Sequence, residues 1–153
     1  MNSTSPAARK SVAIRPILAG GIAAGAMDLA AAYVIFGWRV PWRIARGLVG
    51  APAEQGGVAL YILGIALHFF IATSAAAVYY AASRKLRFLR ESFIVCGMSY
   101  GVGVYLVMNL IVLPLSAYHS SAPIPRGAMV QGMLVHMFCV GLPIAIGVRR
   151  YSD

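Results

Sequence analysis

Four polar side chains interrupt the long apolar stretches of this chain, and their types are those that exchange protons or bind cations. They are Asp28, His68, Asn109 and His136. A carboxylate and an imidazole can pass a proton between them or share a cation, and a side-chain amide can both donate and accept hydrogen bonds. Ionisable residues are costly to place in a membrane and often mark ion or substrate pathways. These four residues therefore form the candidate site.

The apolar stretches that carry these residues are each long enough to cross a bilayer. A hydrocarbon core of about 30 Å requires about 20 residues of helix. The predicted spans cover residues 16–37, 56–83, 92–117 and 127–148. Because 60% of the 153 residues are hydrophobic and only 11% are charged, a soluble globular domain is excluded. The sequence predicts an all-α integral membrane protein, with one transmembrane domain over residues 1–153.

The Lys and Arg residues are distributed unevenly between the connections. Nine fall on one side of the predicted spans and four on the other. By the positive-inside rule both termini are cytoplasmic, and residues 1–15 are expected to form a disordered cytoplasmic tail. Trp38 and Trp42 then mark the outer interface. The connection that follows them, with Ile44 and Leu48 at helical spacing, is either a short amphipathic helix on the outer surface or a solvated loop.

Small residues form a stripe along each predicted span, on the face that carries the polar residue. Helices in a membrane associate through close packing of small residues and through hydrogen bonds between helices. Spacings of three or four residues place the members of a stripe on one helix face. The stripes comprise Gly21, Gly25, Asp28 and Ala32 in the first span, Gly64, His68, Ala72 and Ala76 in the second, Gly97, Gly101, Tyr105 and Asn109 in the third, and Gly132, His136 and Val140 in the fourth. Each polar residue is therefore expected to face a neighbouring helix.

A repeated pattern and a common depth relate the candidate residues to one another. The pattern Gly-x-x-x-His occurs at Gly64 and again at Gly132, which predicts two parallel helical hairpins in a four-helix bundle. Counted from the basic residues at the cytoplasmic end, Asp28 and His136 lie about 20 Å along their helices and His68 about 24 Å. These three residues are expected to form one titrating cluster near the midplane. Asn109 is expected nearer the outside.

Three interpretations of this cluster remain open. It could be a structural group that fixes the register of the helices, or a functional group that relays protons or binds a cation or a small polar solute. It could also ligate haem through His68 and His136, with Gly64 and Gly132 leaving room for the macrocycle. A resident metal or other cofactor is not expected. Enzymatic activity is not expected either, because the chain has four acidic residues and none of the common catalytic motifs.

The second half of the chain resembles a known family. His68 begins a small and aromatic stretch that ends at Tyr79 and Tyr80, a short basic loop and the stretch GMSYGVGVYLVMNLIVLPLSA follow, and the last span ends at residues 148–150. Over residues 60–150 this pattern resembles the YagU-like family of bacterial inner-membrane proteins. The resemblance implies a bacterial inner-membrane location and supplies no substrate, reaction or catalytic residue.

The expected partners follow from where the charges lie. The basic residues occur only between apolar runs, which suits contact with anionic lipid head groups and argues against nucleic acid. Four spans make a thin bundle, so further copies of the chain or a larger membrane complex are also expected partners. The alternative function is therefore an accessory or structural subunit of such a complex.

Overall fold

The computed structural model describes residues 6–118 and 125–151, without the side chains of residues 6–12 and 54. Within these residues the chain is helical and contains no strand. Four helices are long and apolar enough to cross a membrane, as the sequence predicts. They are the first span (Ala13–Phe36), the second (Val58–Lys85), the third (Phe93–Leu115) and the fourth (Arg126–Tyr151).

The first helix, α1 (Pro6–Phe36), begins well before the predicted span. Residues 7–10 are Ala, Ala, Arg and Lys, which favour helix, and proline is favoured at the first helical position. The prediction of a disordered tail is therefore wrong for residues 6–15, whereas residues 1–5 lie outside the described part. Gly37 then ends α1 with a φ of 78°, a conformation that glycine adopts readily.

A short helix, α2 (Val40–Val49), forms the connection between the first two spans. It is followed by a 3₁₀ turn, Ala51–Gln55, and by α3 (Val58–Lys85), which is the second span. The buried residues of α2 are Val40, Pro41 and Ala45, and the helix packs against α3. The connection is thus an amphipathic helix that lies on another helix of the protein.

The third and fourth spans each contain a widened π turn. After the short helix α4 (Phe88–Glu91), the third span runs through α5 (Phe93–Val107), the π turn Met108–Val112 and α6 (Leu113–Leu115). The fourth span runs through α7 (Arg126–Val135), the π turn His136–Gly141 and α8 (Leu142–Tyr151).

A proline follows each π turn closely. Proline has no amide hydrogen, and its ring collides with the carbonyl four residues earlier in a regular α-helix. A π turn relieves this collision because it changes which carbonyls and amides are paired. Pro114 and Pro143 thus lie just after the two turns, where a π turn can accommodate them, and Asn109 and His136 lie within the turns.

The four spans pack in a defined order. The first span lies between the second and the fourth, and the fourth also packs against the third. A cluster of buried hydrophobic residues, which includes Tyr79, Ile144 and Val148, lies toward the end where the second and fourth spans terminate. This half of the molecule is closely packed, and the half that contains α2 is more open.

Candidate functional site: a cavity at the intramembrane polar residues

All four candidate residues line one cavity of about 640 Å³. The cavity is bounded by all four spans and by α2. Asp28, His68 and His136 lie at its inner end, and Asn109 comes from the third span. Most of the wall between the inner end and α2 is apolar. A volume of this size lies within the range of about 300–1,000 Å³ that is usual for small-molecule sites.

In the packed half of the molecule, below the cavity, glycines allow neighbouring spans to approach closely. A Cβ atom at Gly21 or Gly25 would collide with Thr73 or Phe69 of the second span. Similar collisions with the fourth span would occur at Gly97 and Gly101 of the third span. The glycines therefore bring the first span onto the second and the third onto the fourth.

The helix α2 covers the other end of the cavity. Gly64 of the second span packs against the backbone of Pro41 in α2, where a Cβ atom would collide with the Pro41 carbonyl. At the other end of α2, the amide of Ala117 donates a hydrogen bond of 2.9 Å to the carbonyl of Gly47. Gly64 therefore packs against the connecting helix and not against a membrane-spanning helix. Gly132, the corresponding glycine of the Gly-x-x-x-His repeat, packs against the ring of Tyr105 instead.

Asp28 and His68 lie close together without a hydrogen bond between them. Their Oδ2 and Nε2 atoms are 3.9 Å apart, and the side chains are 17% and 13% exposed, respectively. The Nε2 atom of His68 is 2.9 Å from the carbonyl oxygen of Gly25. Since a carbonyl oxygen can only accept, this nitrogen carries the hydrogen and donates it to Gly25. Among the described residues, none donates a hydrogen bond to the Asp28 carboxylate.

His136 and Asn109 are held by backbone carbonyls of their own helices. The Nδ1 atom of His136 donates to the carbonyl of Gly132 over 2.9 Å, and its ring meets Tyr105 edge-on at 5.3 Å between centroids. The amide nitrogen of Asn109 donates to the carbonyl of Tyr105 over 2.8 Å. The four residues thus meet at one cavity, but hydrogen bonds to the backbone, and not to one another, fix their orientations.

The structure adds residues to the site that the sequence analysis did not include. Arg43 of α2 and Gln131 of the fourth span also line the cavity. Gln131 could have been found, because it is an uncharged polar residue inside an apolar span next to Gly132. Arg43 could not, because its role depends on the packing of α2 over the cavity.

The haem interpretation stays a prediction, and the two histidines differ in the nitrogen that each could offer to an iron atom. His136 keeps its outer nitrogen, Nε2, available, but His68 already uses Nε2 to donate to Gly25. His68 could offer only Nδ1, the nitrogen nearer its own backbone, to an iron atom. Within residues 6–118 and 125–151, no group of three or more His, Cys, Asp or Glu residues is arranged to hold a metal ion.

Comparison of the chain with family models, with curated proteins and with solved structures finds no match. The resemblance of residues 60–150 to the YagU-like family therefore stays a prediction.

Proposed function

We propose that this chain is a multi-pass protein of the bacterial inner membrane whose cavity handles a proton, a cation or a small polar solute beside Asp28 and His68. The observation that supports this function is the convergence of Asp28, His68, Asn109 and His136, from four different spans, on one cavity. Asp28 supports it further, because its carboxylate accepts no hydrogen bond from the described residues and lines the cavity.

The proposed arrangement is a four-helix bundle of two parallel hairpins with both termini in the cytoplasm. The pairing of the first span with the second, and of the third with the fourth, supports the two hairpins. Basic residues gather where the second and fourth spans end, and Arg149 lies over the ring of Phe93 there at 4.2 Å. At the opposite end Trp42 packs against Trp38 and Tyr61, as in an interfacial aromatic belt. The cavity then faces the outside of the cell.

The chemistry of the inner end depends on one carboxylate. Asp28 attracts a cation or a proton, and protonation of His68 would place a second positive charge 3.9 Å from the same carboxylate. A bound cation and a protonated His68 would repel each other, since like charges at such distances interact strongly in a medium of low dielectric constant. The Asp28 carboxylate is therefore expected to hold one positive charge at a time.

A liposome experiment tests this function. The purified protein is reconstituted with a pH-sensitive dye inside the vesicles, and the decay of an imposed pH gradient is recorded with and without added solutes. The intact protein should accelerate the decay, and Asp28→Asn should abolish most of that effect. Glu91→Gln, which removes an exposed carboxylate far from the cavity, is the matched control. Absence of any flux, or equal flux with Asp28→Asn, would contradict the proposal.

The second candidate function is that of an accessory subunit in a larger membrane complex or a homo-oligomer. The specific observation in its favour is that only 11% of an apolar 18-residue stretch of the second span is buried, compared with 28% in the first and fourth spans. Lipids or another subunit must cover the remaining surface. Co-purification of the chain with other membrane proteins in a mild detergent would favour this candidate.

A further inference from the structure

The hydrogen bonds at the inner end of the cavity determine which atoms remain for a ligand. Because His136 donates from Nδ1 to the Gly132 carbonyl, its Nε2 atom is an acceptor in the neutral imidazole. Asn109 donates from its amide nitrogen to the Tyr105 carbonyl, so its Oδ1 atom remains as an acceptor. The N–H of His68 is likewise used by the Gly25 carbonyl. The N–H of each neutral imidazole is therefore already engaged by the backbone, and Asn109 keeps its second amide hydrogen.

Three of the groups that remain at this end are acceptors. They are the Asp28 carboxylate, Oδ1 of Asn109 and, in the neutral ring, Nε2 of His136. No hydrogen bond to any of them comes from the described residues. These residues line the cavity, so a ligand that enters it can bond to their acceptor atoms with donors of its own. A negative charge among these acceptors calls for a donor that is also positively charged.

The rest of the cavity specifies an apolar body for the ligand. Asp28 and Phe36 both line it, and eight residues of helix between them correspond to a length of about 12 Å. Side chains such as Ile35, Leu67 and Val112 form the wall over this distance. Arg43 lines the cavity from α2, which follows α1 beyond Phe36, so positive charge at that end disfavours a second cationic group on the ligand.

We infer that the cavity binds an organic monocation with N–H donors, such as a primary ammonium or a guanidinium group, attached to a compact apolar body. The N–H groups bond to the Asp28 carboxylate, and the apolar body fills the space below α2. This inference rests on the proposed function, because it names the solute class for the same site.

Binding to the detergent-solubilised full-length protein tests the inference without any ion gradient. Calorimetric titrations would compare three probes that share a phenyl ring and similar length: 2-phenylethylammonium, 2-phenylethanol and 3-phenylpropionate. The ammonium probe should bind saturably and at least about tenfold more tightly than the alcohol, because a hydrogen bond to a charged group is stronger than one between neutral groups. Equal affinity for the alcohol, or tighter binding of the carboxylate, would overturn the inference.

Two variants and one control distinguish the contribution of the carboxylate to binding from the contribution of the cavity's shape. Asp28→Asn should weaken the ammonium probe by about tenfold or more and leave 2-phenylethanol nearly unchanged. Ala32→Leu, which fills the wall one helical turn from Asp28, should weaken both probes and keeps the inference testable if Asp28→Asn does not fold. Glu91→Gln should bind both probes as the unaltered chain does. Undiminished ammonium binding in Ala32→Leu would overturn the assignment to this cavity.

The two proposals can fail separately. If the ammonium probe binds but no gradient decays in liposomes, the transport function is wrong and the ligand class stands. If a gradient decays through Asp28 but the three probes bind alike or not at all, the ligand class is wrong and the proposed function stands.

Discussion

His68 of the second span is hydrogen-bonded to the backbone of the first span and not to the Asp28 side chain. Its Nε2 hydrogen is donated to the Gly25 carbonyl over 2.9 Å, whereas the Asp28 carboxylate is 3.9 Å away. Gly25 lies where the first span meets Phe69 of the second span. His68 therefore holds the two helices at the depth where they approach closely, and it leaves the carboxylate accessible from the cavity.

A double-mutant cycle follows from these distances. His68→Ala should cost about 1 kcal/mol of stability through the lost hydrogen bond to Gly25. Its effect should also be non-additive with Asp28→Asn by about 0.5 kcal/mol or more, because the two side chains are in near contact. His136→Ala should be additive with Asp28→Asn, since His136 is held by Gly132 on its own helix. Thermal unfolding of the single and double variants in detergent measures all these terms.

The sequence alone predicts both histidines as equal partners for Asp28, and the structure favours only His68. Coupling of His136 to Asp28 in the cycle, or strict additivity for His68, would contradict the pairing of His68 with Asp28. Spacing along a helix gives depth but not rotation about the bundle axis. For this reason the sequence could predict a shared layer but could not predict which imidazole lies beside the carboxylate.

At the scale of the helices, close approach of backbones determines which glycines are indispensable. A Cβ atom at Gly101 would collide with the His136 carbonyl of the fourth span, whereas at Gly103, two residues away, it would meet nothing within 4 Å. Gly101→Ala should therefore force the third and fourth spans apart, at a cost of about 1–3 kcal/mol.

Gly103→Ala is the matched control, and its effect on stability should be close to zero or slightly favourable because alanine has the higher helix propensity. Unfolding of both variants by a denaturing detergent, followed by circular dichroism, gives the comparison. Equal stability of the two variants would indicate that the third and fourth spans do not pack at Gly101.

The helices themselves could be predicted from the sequence, and the neighbour of each glycine could be predicted only in part. Long apolar stretches specify spans because a helix must satisfy its own backbone in lipid. The assignment of Gly64 to contact between spans failed because α2 folds back onto that position. The same helix gives the cavity its cover, so the volume and the role of Arg43 also could not be predicted from local patterns.

At the scale of the whole molecule, the distribution of basic residues predicts the orientation in the membrane. Pro52 lies in the turn after α2, and Arg87 lies between α3 and α4 at the opposite end of the second span. Alkaline phosphatase fused after Pro52 should be active, and the same enzyme fused after Arg87 should be inactive. Activity in the reverse order, or at both positions, would contradict the proposed topology.

The lightly buried second span predicts association between copies of the chain. With 11% of an apolar 18-residue stretch buried, this span has surface available for a neighbouring molecule. Small-angle scattering from the protein in detergent, with the detergent contrast matched, should give a mass of two or more chains. A strictly monomeric particle that still conducts in liposomes would contradict this prediction.

The packed half of the molecule has a kinetic consequence for any solute that the cavity admits. Tyr79, Ile144 and Val148 are fully buried beyond the inner end, so the packed half offers a bound solute no open path across the membrane. Passage across the membrane then requires a rearrangement for every solute transferred, and the turnover is limited by that rearrangement. Initial rates of uptake into liposomes should accordingly reach a plateau as the solute concentration rises, in the manner of a carrier and unlike the nearly linear rise through an open pore.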